Sequence, residues 1–403
     1  MAGDYTNPAD HTIEALLFYV QAEWMGSQDV TIDLSVVIGM VVRLAMRMGI
    51  HRDSKVHAGL TAFQREMRRR VWAQIRVMDT LYSFQLSLPA SVRPDECDCE
   101  LPRNIWNRDF DDSDDDTLAM PPSRPLTENT EVCYIIMKTR LLLVFGRILA
   151  LTESSDTIST ETVMKYEQEL YEIQKDMPPH FQVPSPGEMT TAPLSLKKTQ
   201  IHLDRLYQAA QCILYRKFLR RDSAHVRYRG SCIDAAMTLL NHQTTLFLGC
   251  DSLYPQNMKQ RHRSTFTTHD FFIACMAIAL DLHYGFESEP ATLSLQDIAL
   301  WGYDRRNEMI TALETSTEFW RVSREDSVEA AKAYGMFSFV LQKAKKAQQM
   351  TGADFGNKFT ILESATTYAV DILDAPDSIK ETAERPTEFD LVRIPQAQDN
   401  SDP

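Results

Sequence analysis

Three stretches hold the side chains that could do chemistry. Residues 49–72, GIHRDSKVHAGLTAFQREMRRRVW, place four arginines within six positions, at Arg65, Arg68, Arg69 and Arg70. Such a cluster could grip phosphates, stabilise negative charge developing in a reaction, or pair with carboxylates inside a fold. Residues 109–116, DFDDSDDD, contain the D-D-x-x-D spacing at Asp111, Asp112 and Asp115, and carboxylates so spaced could bridge magnesium to a diphosphate. His51, Arg52 and Asp53 form the third set, a trio whose residue types suit acid–base work only if their geometry is right.

The two catalytic readings weaken when their surroundings are read. The aspartates match the aspartate-rich motif of class I terpene synthases formally, but they lie between Pro102 and Pro121 rather than inside a long apolar helix. No partner triad of N-D-x-x-S-x-x-x-E spacing is present, and the nearest set, Asn307, Thr311 and Glu314, is one residue short. The run also lacks the central glycine of a calcium loop. It reads as a solvated acidic loop, with a magnesium-dependent diphosphate enzyme as the alternative. His51, Arg52 and Asp53 are adjacent after a helix end, which suits capping and local pairing. No H-E-x-x-H or nucleophile elbow occurs, so the chain is read as a non-enzyme with no catalytic, cofactor-binding or metal-binding residue.

Charge and cysteines narrow the classes further. The chain of 403 residues carries a formal net charge of −14, a field that repels phosphate backbones unless a basic patch stands apart from the acids. Of seven cysteines only Cys97 and Cys99 are close neighbours, so neither a structural zinc site nor a disulfide framework is indicated. Reduced thiols and the polar start MAGDYTNPADHT suggest an intracellular protein without a secretory signal. The longest apolar run, FFIACMAIAL from Phe271, is about half of a membrane span of roughly 20 residues, and no membrane association is expected.

The elements that must position these residues are helices. Apolar residues recur at helical spacing, glycine is scarce, and no strand series or phosphate-binding glycine loop appears. Helices are predicted over 11–26, 32–49, about 61–86, 131–151, 159–176, 196–220, 226–248, 268–283, 295–319, 326–350 and 359–373. The second is apolar nearly all round and is expected to be central, with Gly39 close to a neighbouring helix and Gly49 as a left-handed terminator onto which Ile50 folds back. Thr61 and Gln64 form a T-x-x-Q capping box that opens the third. Its apolar stripe is Phe63, Met67, Val71, Ile75, Met78 and Tyr82; a second face carries Arg65, Arg68 or Arg69, Trp72, Arg76 and Asp79. The fold class is all-α, an antiparallel helical array and at most a degenerate α-solenoid. One folded unit is expected over 1–375, with an acidic loop at about 89–122 and a disordered acidic tail at 376–403.

The arginines then read as internal wiring. Successive residues turn by about 100°, so Arg68, Arg69 and Arg70 cannot share a face. Glu66 can reach Arg69 or Arg70, and Arg76 can reach Asp79. Residues 61–80 hold five arginines against two acids, net +3, whereas residues 91–116 hold three arginines against ten acids, net −7. The acidic stretch is suited to neutralise the basic helix by bidentate pairing.

These same residues resemble the middle homology region of fungal zinc-cluster transcription factors, the xylanolytic-activator-type or fungal-specific transcription factor domain. The resemblance is carried by Gly49, Ile50, His51, Arg52 and Asp53, then Glu66, Arg68, Arg69, Arg70 and Trp72, then Asp79, then Leu101 and Pro102. It covers about residues 10–110 firmly, with LYRKFL from Leu214, CIDAAMTLL from Cys232 and HDFFIACMAIAL from His269 as looser continuations. The family usually has Gly-Arg-Pro after the arginine helix, where this chain has Ser87, Leu88 and Pro89. The six-cysteine zinc cluster that reads DNA in the family is not in this sequence, so the chain is expected to be either an incomplete factor or a genuinely cluster-less one.

The resemblance implies a nuclear regulatory domain controlling transcription by RNA polymerase II, with DNA and zinc attached to the family's reading domain. It also implies homo- or heterodimers with related factors, transcriptional co-regulators, and a small-molecule effector. A cluster-less co-regulator acting by heterodimerisation is a further alternative. The basic groups Arg216, Lys217, Arg220 and Arg221, and KQRHR at 259–263, read as helix-end and loop charges. The tail segment TEFDLVRIPQ, with Phe389, Leu391, Val392 and Ile394, reads as an inert tail ahead of an activation motif.

Overall fold

The computed structural model describes residues 9, 11–26, 29, 32–52, 59–93, 96–110, 120–153, 158–183, 194–219, 226–253, 269–288, 304–325 and 327–349. These residues form ten α-helices and no strand. They are α1 (Thr12–Gly26), α2 (Ile32–Arg47), α3 (Ala62–Leu86), α4 (Cys133–Glu153), α5 (Thr160–Lys175), α6 (Leu194–Tyr215), α7 (Val226–Leu253), α8 (His269–Ser288), α9 (Arg305–Ser323) and α10 (Val328–Gln349). The all-α class expected from helical spacing is what the chain adopts.

Packing follows the apolar faces. Ile13, Leu16, Leu17 and Val20 of α1, Leu34, Ile38, Val41, Val42 and Ala45 of α2, and Val71, Trp72, Ile75, Met78 and Tyr82 of α3 form one buried cluster. A second, larger cluster joins α4–α10 and includes Val77 and Phe84 from the opposite side of α3. The arginine helix is therefore a shared wall with apolar side chains on both faces. Beyond it, α4 packs on α6, α6 on α7 and α8, and α9 on α7 and α10. Contacts thus reach past the next helix, unlike the neighbour-only stacking of a regular solenoid.

Two expectations are corrected. Helix α2 is not central: Ile32 and Val36 are 63% and 68% exposed, because among the described elements only α1 and α3 make extensive contact with it. Gly39 faces a loop rather than a helix, and the nearest atom to the direction a side chain would take is Ser91 Oγ. Trp72 shares the second face of α3 with Arg69 and Asp79, and that face is buried: the indole is 1% exposed within the first cluster.

Smaller differences occur at helix ends. Helix α6 gives way at Arg216–Phe218 to a 3-10 turn rather than running to residue 220. Asp53, Asp111, Asp112, Asp115, Arg220, Arg221, residues 259–263, the start of the helix predicted from 295, the helix predicted over 359–373 and the tail 376–403 lie outside the described residues.

Candidate functional site

The signature residues meet where the turn after α2, the first half of α3 and the segment 96–107 come together. Gly49 adopts φ 71°, and the backbone N–H groups of Gly49 and Ile50 donate to Met46 and Ala45 at 3.0 Å each. This is the paired ending that a left-handed glycine permits, and it leaves Ile50 6% exposed against the first cluster. The capping box at the start of α3 is formed on both sides, each bond 3.2 Å, between Thr61 and Gln64. These two devices fix where α2 stops and α3 begins.

Each arginine of the cluster has an acceptor within the protein. Arg65 donates to the Leu60 carbonyl at 2.9 Å. Arg68 donates to the Met48 carbonyl at 3.4 Å, placing a cation at the negative end of α2. Arg69, 6% exposed, donates to Glu100 Oε2 at 2.7 Å. Arg70 donates to Glu66 Oε1 at 3.2 Å and Asn107 Oδ1 at 2.7 Å, and lies 4.7 Å from the centre of the Phe110 ring.

The carboxylates are tied as closely. Glu66 is 1% exposed and also accepts the Arg103 backbone N–H at 3.1 Å. Burial raises its pKa above the ordinary range, and the nearby Arg70 charge, the Arg103 bond and the Arg69 charge only partly oppose this. Asp79, 2% exposed, accepts the backbone N–H groups of Ser91 at 3.1 Å and Val92 at 2.8 Å. Its pKa is likewise raised by burial, against those bonds. Asp79 therefore anchors the loop after α3 and does not pair with Arg76, as helical spacing alone had suggested.

The remaining signature residues complete the ties. The His51 carbonyl accepts the Cys99 N–H at 3.2 Å, and the His51 ring stands 6.0 Å from that of Trp72. Arg52 approaches Asp98 at 3.7 Å. The Pro89 carbonyl accepts from Ser83 Oγ at 3.4 Å; Leu101 is half-buried and Pro102 buried. Asn307 and Thr311 lie on α9 with Glu314, which pairs with Lys345. Among the described residues no three His, Cys, Asp or Glu side chains are grouped to hold a metal.

Residues 5–175 match the family model described as the fungal specific transcription factor domain. These residues belong to that family. It is 34% identical to the Zn(2)-C6 fungal-type transcription factor mpsB of Macrophomina phaseolina, over 87% of this chain and 47% of the relative. It is 32% identical to the Zn(2)-C6 fungal-type transcription factor pigI of Monascus ruber, over 86% of this chain and 42% of the relative. It is 29% identical to the equisetin cluster transcription factor eqxF of Fusarium heterosporum, over 90% and 52%. The chain spans about half the length of these curated relatives. No solved structure matches.

Within this fungal transcription factor domain, helical spacing identified the Glu66–Arg70 pair but not the individual partners that lie further along the chain. Asn104 is 1% exposed, donates from Nδ2 to the Arg124, Pro125 and Glu128 carbonyls at 3.3, 2.8 and 3.1 Å, and accepts from Thr130 Oγ1 at 2.6 Å. It closes the connection leading to α4. The one signal for it was its place in the ELPRN stretch, beside Leu101 and Pro102. Glu100 and Asn107 carried no signal beyond local acidity, because their partners lie 31 and 37 residues away.

Proposed function

We propose that this chain is the regulatory part of a zinc-cluster transcription factor, acting in the nucleus on transcription by RNA polymerase II without catalysing a reaction. The observation that carries the proposal is the likeness, over most of this chain, to proteins named as Zn(2)-C6 transcription factors. The internal ties of Arg65, Arg68, Arg69 and Arg70 agree with it, since they leave the cluster poorly placed to hold a phosphate backbone. DNA reading is assigned to a zinc-bearing part of the whole factor. Homo- or heterodimers with related factors, co-regulators and a small-molecule effector are the proposed partners. Relatives named for the equisetin and fusarisetin A clusters extend the proposal to genes grouped in a cluster of that kind.

Fusing the chain to an unrelated DNA-binding domain and recording a reporter in a fungal host tests this. The account expects reporter output to move, up or down, relative to the DNA-binding domain alone, and the effect to be lost on Glu66→Ala with Asp79→Ala. An intact nuclear fusion that leaves the reporter unchanged would contradict it.

A further inference from the structure

The loop held by Asp79 roofs a cleft of about 610 Å³ against α2. Helix α2 lines it with Gly39, Met40, Arg43 and Met46; the loop lines it with Ser91, Arg93 and Glu96. The volume lies in the range that encloses small organic ligands. Gly39 keeps the floor open, because it has no side chain and its outward direction is clear as far as Ser91 Oγ, 3.9 Å from where a Cβ would stand. The two methionines, both half-buried, offer a flexible, polarisable apolar wall.

The cations of the cleft are placed differently from the paired ones. Several guanidinium groups are matched with carboxylates, as in Arg69–Glu100, Arg205–Asp270 and Arg229–Asp281. Arg43 and Arg93 are exposed and make no hydrogen bond or ion pair from their side chains with a described residue, yet they face the same cleft. Among the described residues Glu96 is the one carboxylate of the lining. Two cations less one anion give these described residues a formal +1, which suits a monoanion with an apolar body.

We propose that this cleft binds an amphipathic monocarboxylate, its carboxylate shared between Arg43 and Arg93 and its apolar chain lying on Met40 and Met46. Guanidinium groups hold carboxylates through directional, charge-assisted bonds. The roof of the cleft hangs on α3 through Asp79, so an occupant would press on the same framework that joins the signature residues. The regulatory meaning of this site rests on the function proposed above; the binding itself does not.

Calorimetric titration of the full chain with decanoate tests the proposal without any transcription readout, so its failure leaves the reporter result standing. Saturable binding of one decanoate per chain is expected, with 1-decanol and decyl phosphate both weaker. Arg43→Gln and Arg93→Gln should each weaken binding about tenfold, Glu96→Gln should tighten it about threefold, and Gly39→Leu should block it. All four positions are solvent-facing or spacious, and unchanged unfolding midpoints will show that the variants fold. Absence of saturable binding, indifference to both arginine substitutions, tighter binding of decyl phosphate, or displacement of decanoate by duplex DNA would each overturn the assignment.

Discussion

Glu66 shows how a single residue records its surroundings. Its carboxylate is enclosed between Arg70, the Arg103 N–H and the body of α3, and burial raises its pKa despite those partners. The folded state therefore holds this proton at a pH where the unfolded chain has released it, and this contribution to stability falls as pH rises through the window above the ordinary carboxylate range. Wild type is expected to gain stability relative to Glu66→Gln as pH is lowered through that window, measured as the difference between their denaturation midpoints. A difference that does not vary with pH would contradict it. Ser87 gives a second prediction at this scale. It stands where the family usually has glycine, at φ 53° in the left-handed region, with its N–H donating to Phe84 at 3.3 Å and that of Leu88 to Ser83 at 2.8 Å. A side chain in that conformation costs about 1 kcal/mol, so Ser87→Gly should stabilise the chain by about that amount in chemical denaturation.

The elements are held by long-range ties more than by their own ends. Asp79 fixes the loop after α3 with two bonds to backbone N–H groups. Asp79→Ala should leave α3 helical while amide hydrogen exchange at Ser91 and Val92 speeds up by about tenfold or more, an unmade bond costing on the order of 1–3 kcal/mol. Unchanged exchange at both amides would show that the carboxylate does not hold the loop. The contrast between Thr61 and Asp79 explains what could be read in advance. The capping box and the Gly49 ending are encoded within a few residues, so their chemistry is visible in the sequence. The pairing of Asp79 with residues 91 and 92, of Arg69 with Glu100 and of Arg70 with Asn107 depends on where a later segment crosses the helix. Helical spacing offered Arg76 as the nearer partner for Asp79, and the segment's backbone donors took the site instead. Helix α2 is a related case: its pattern is apolar on most sides, but only the packing shows that among the described residues no third helix packs extensively on it, leaving Ile32 and Val36 exposed.

At the scale of the molecule, ion pairs and hydrogen bonds to charged groups join distant helices among the described residues. Arg205 with Asp270 and Arg229 with Asp281 tie α6 and α7 to α8. Asp29, in the connection from α1 to α2, accepts from Ser327 Oγ and from the Val328 N–H at the start of α10, joining parts of the chain about 300 residues apart. The arginine cluster belongs to the same scheme, and that is the central claim: its guanidinium groups stabilise the fold and are not held out for nucleic acid. The direct test is to measure, on the same preparations, the unfolding midpoint and the affinity for duplex DNA of wild type and Arg70→Ala. The account predicts a loss of stability on the order of 1–3 kcal/mol, from the buried Glu66 left without its cation, and no measurable DNA binding by either protein at physiological salt. An unchanged midpoint together with DNA binding that Arg70→Ala abolishes would contradict it.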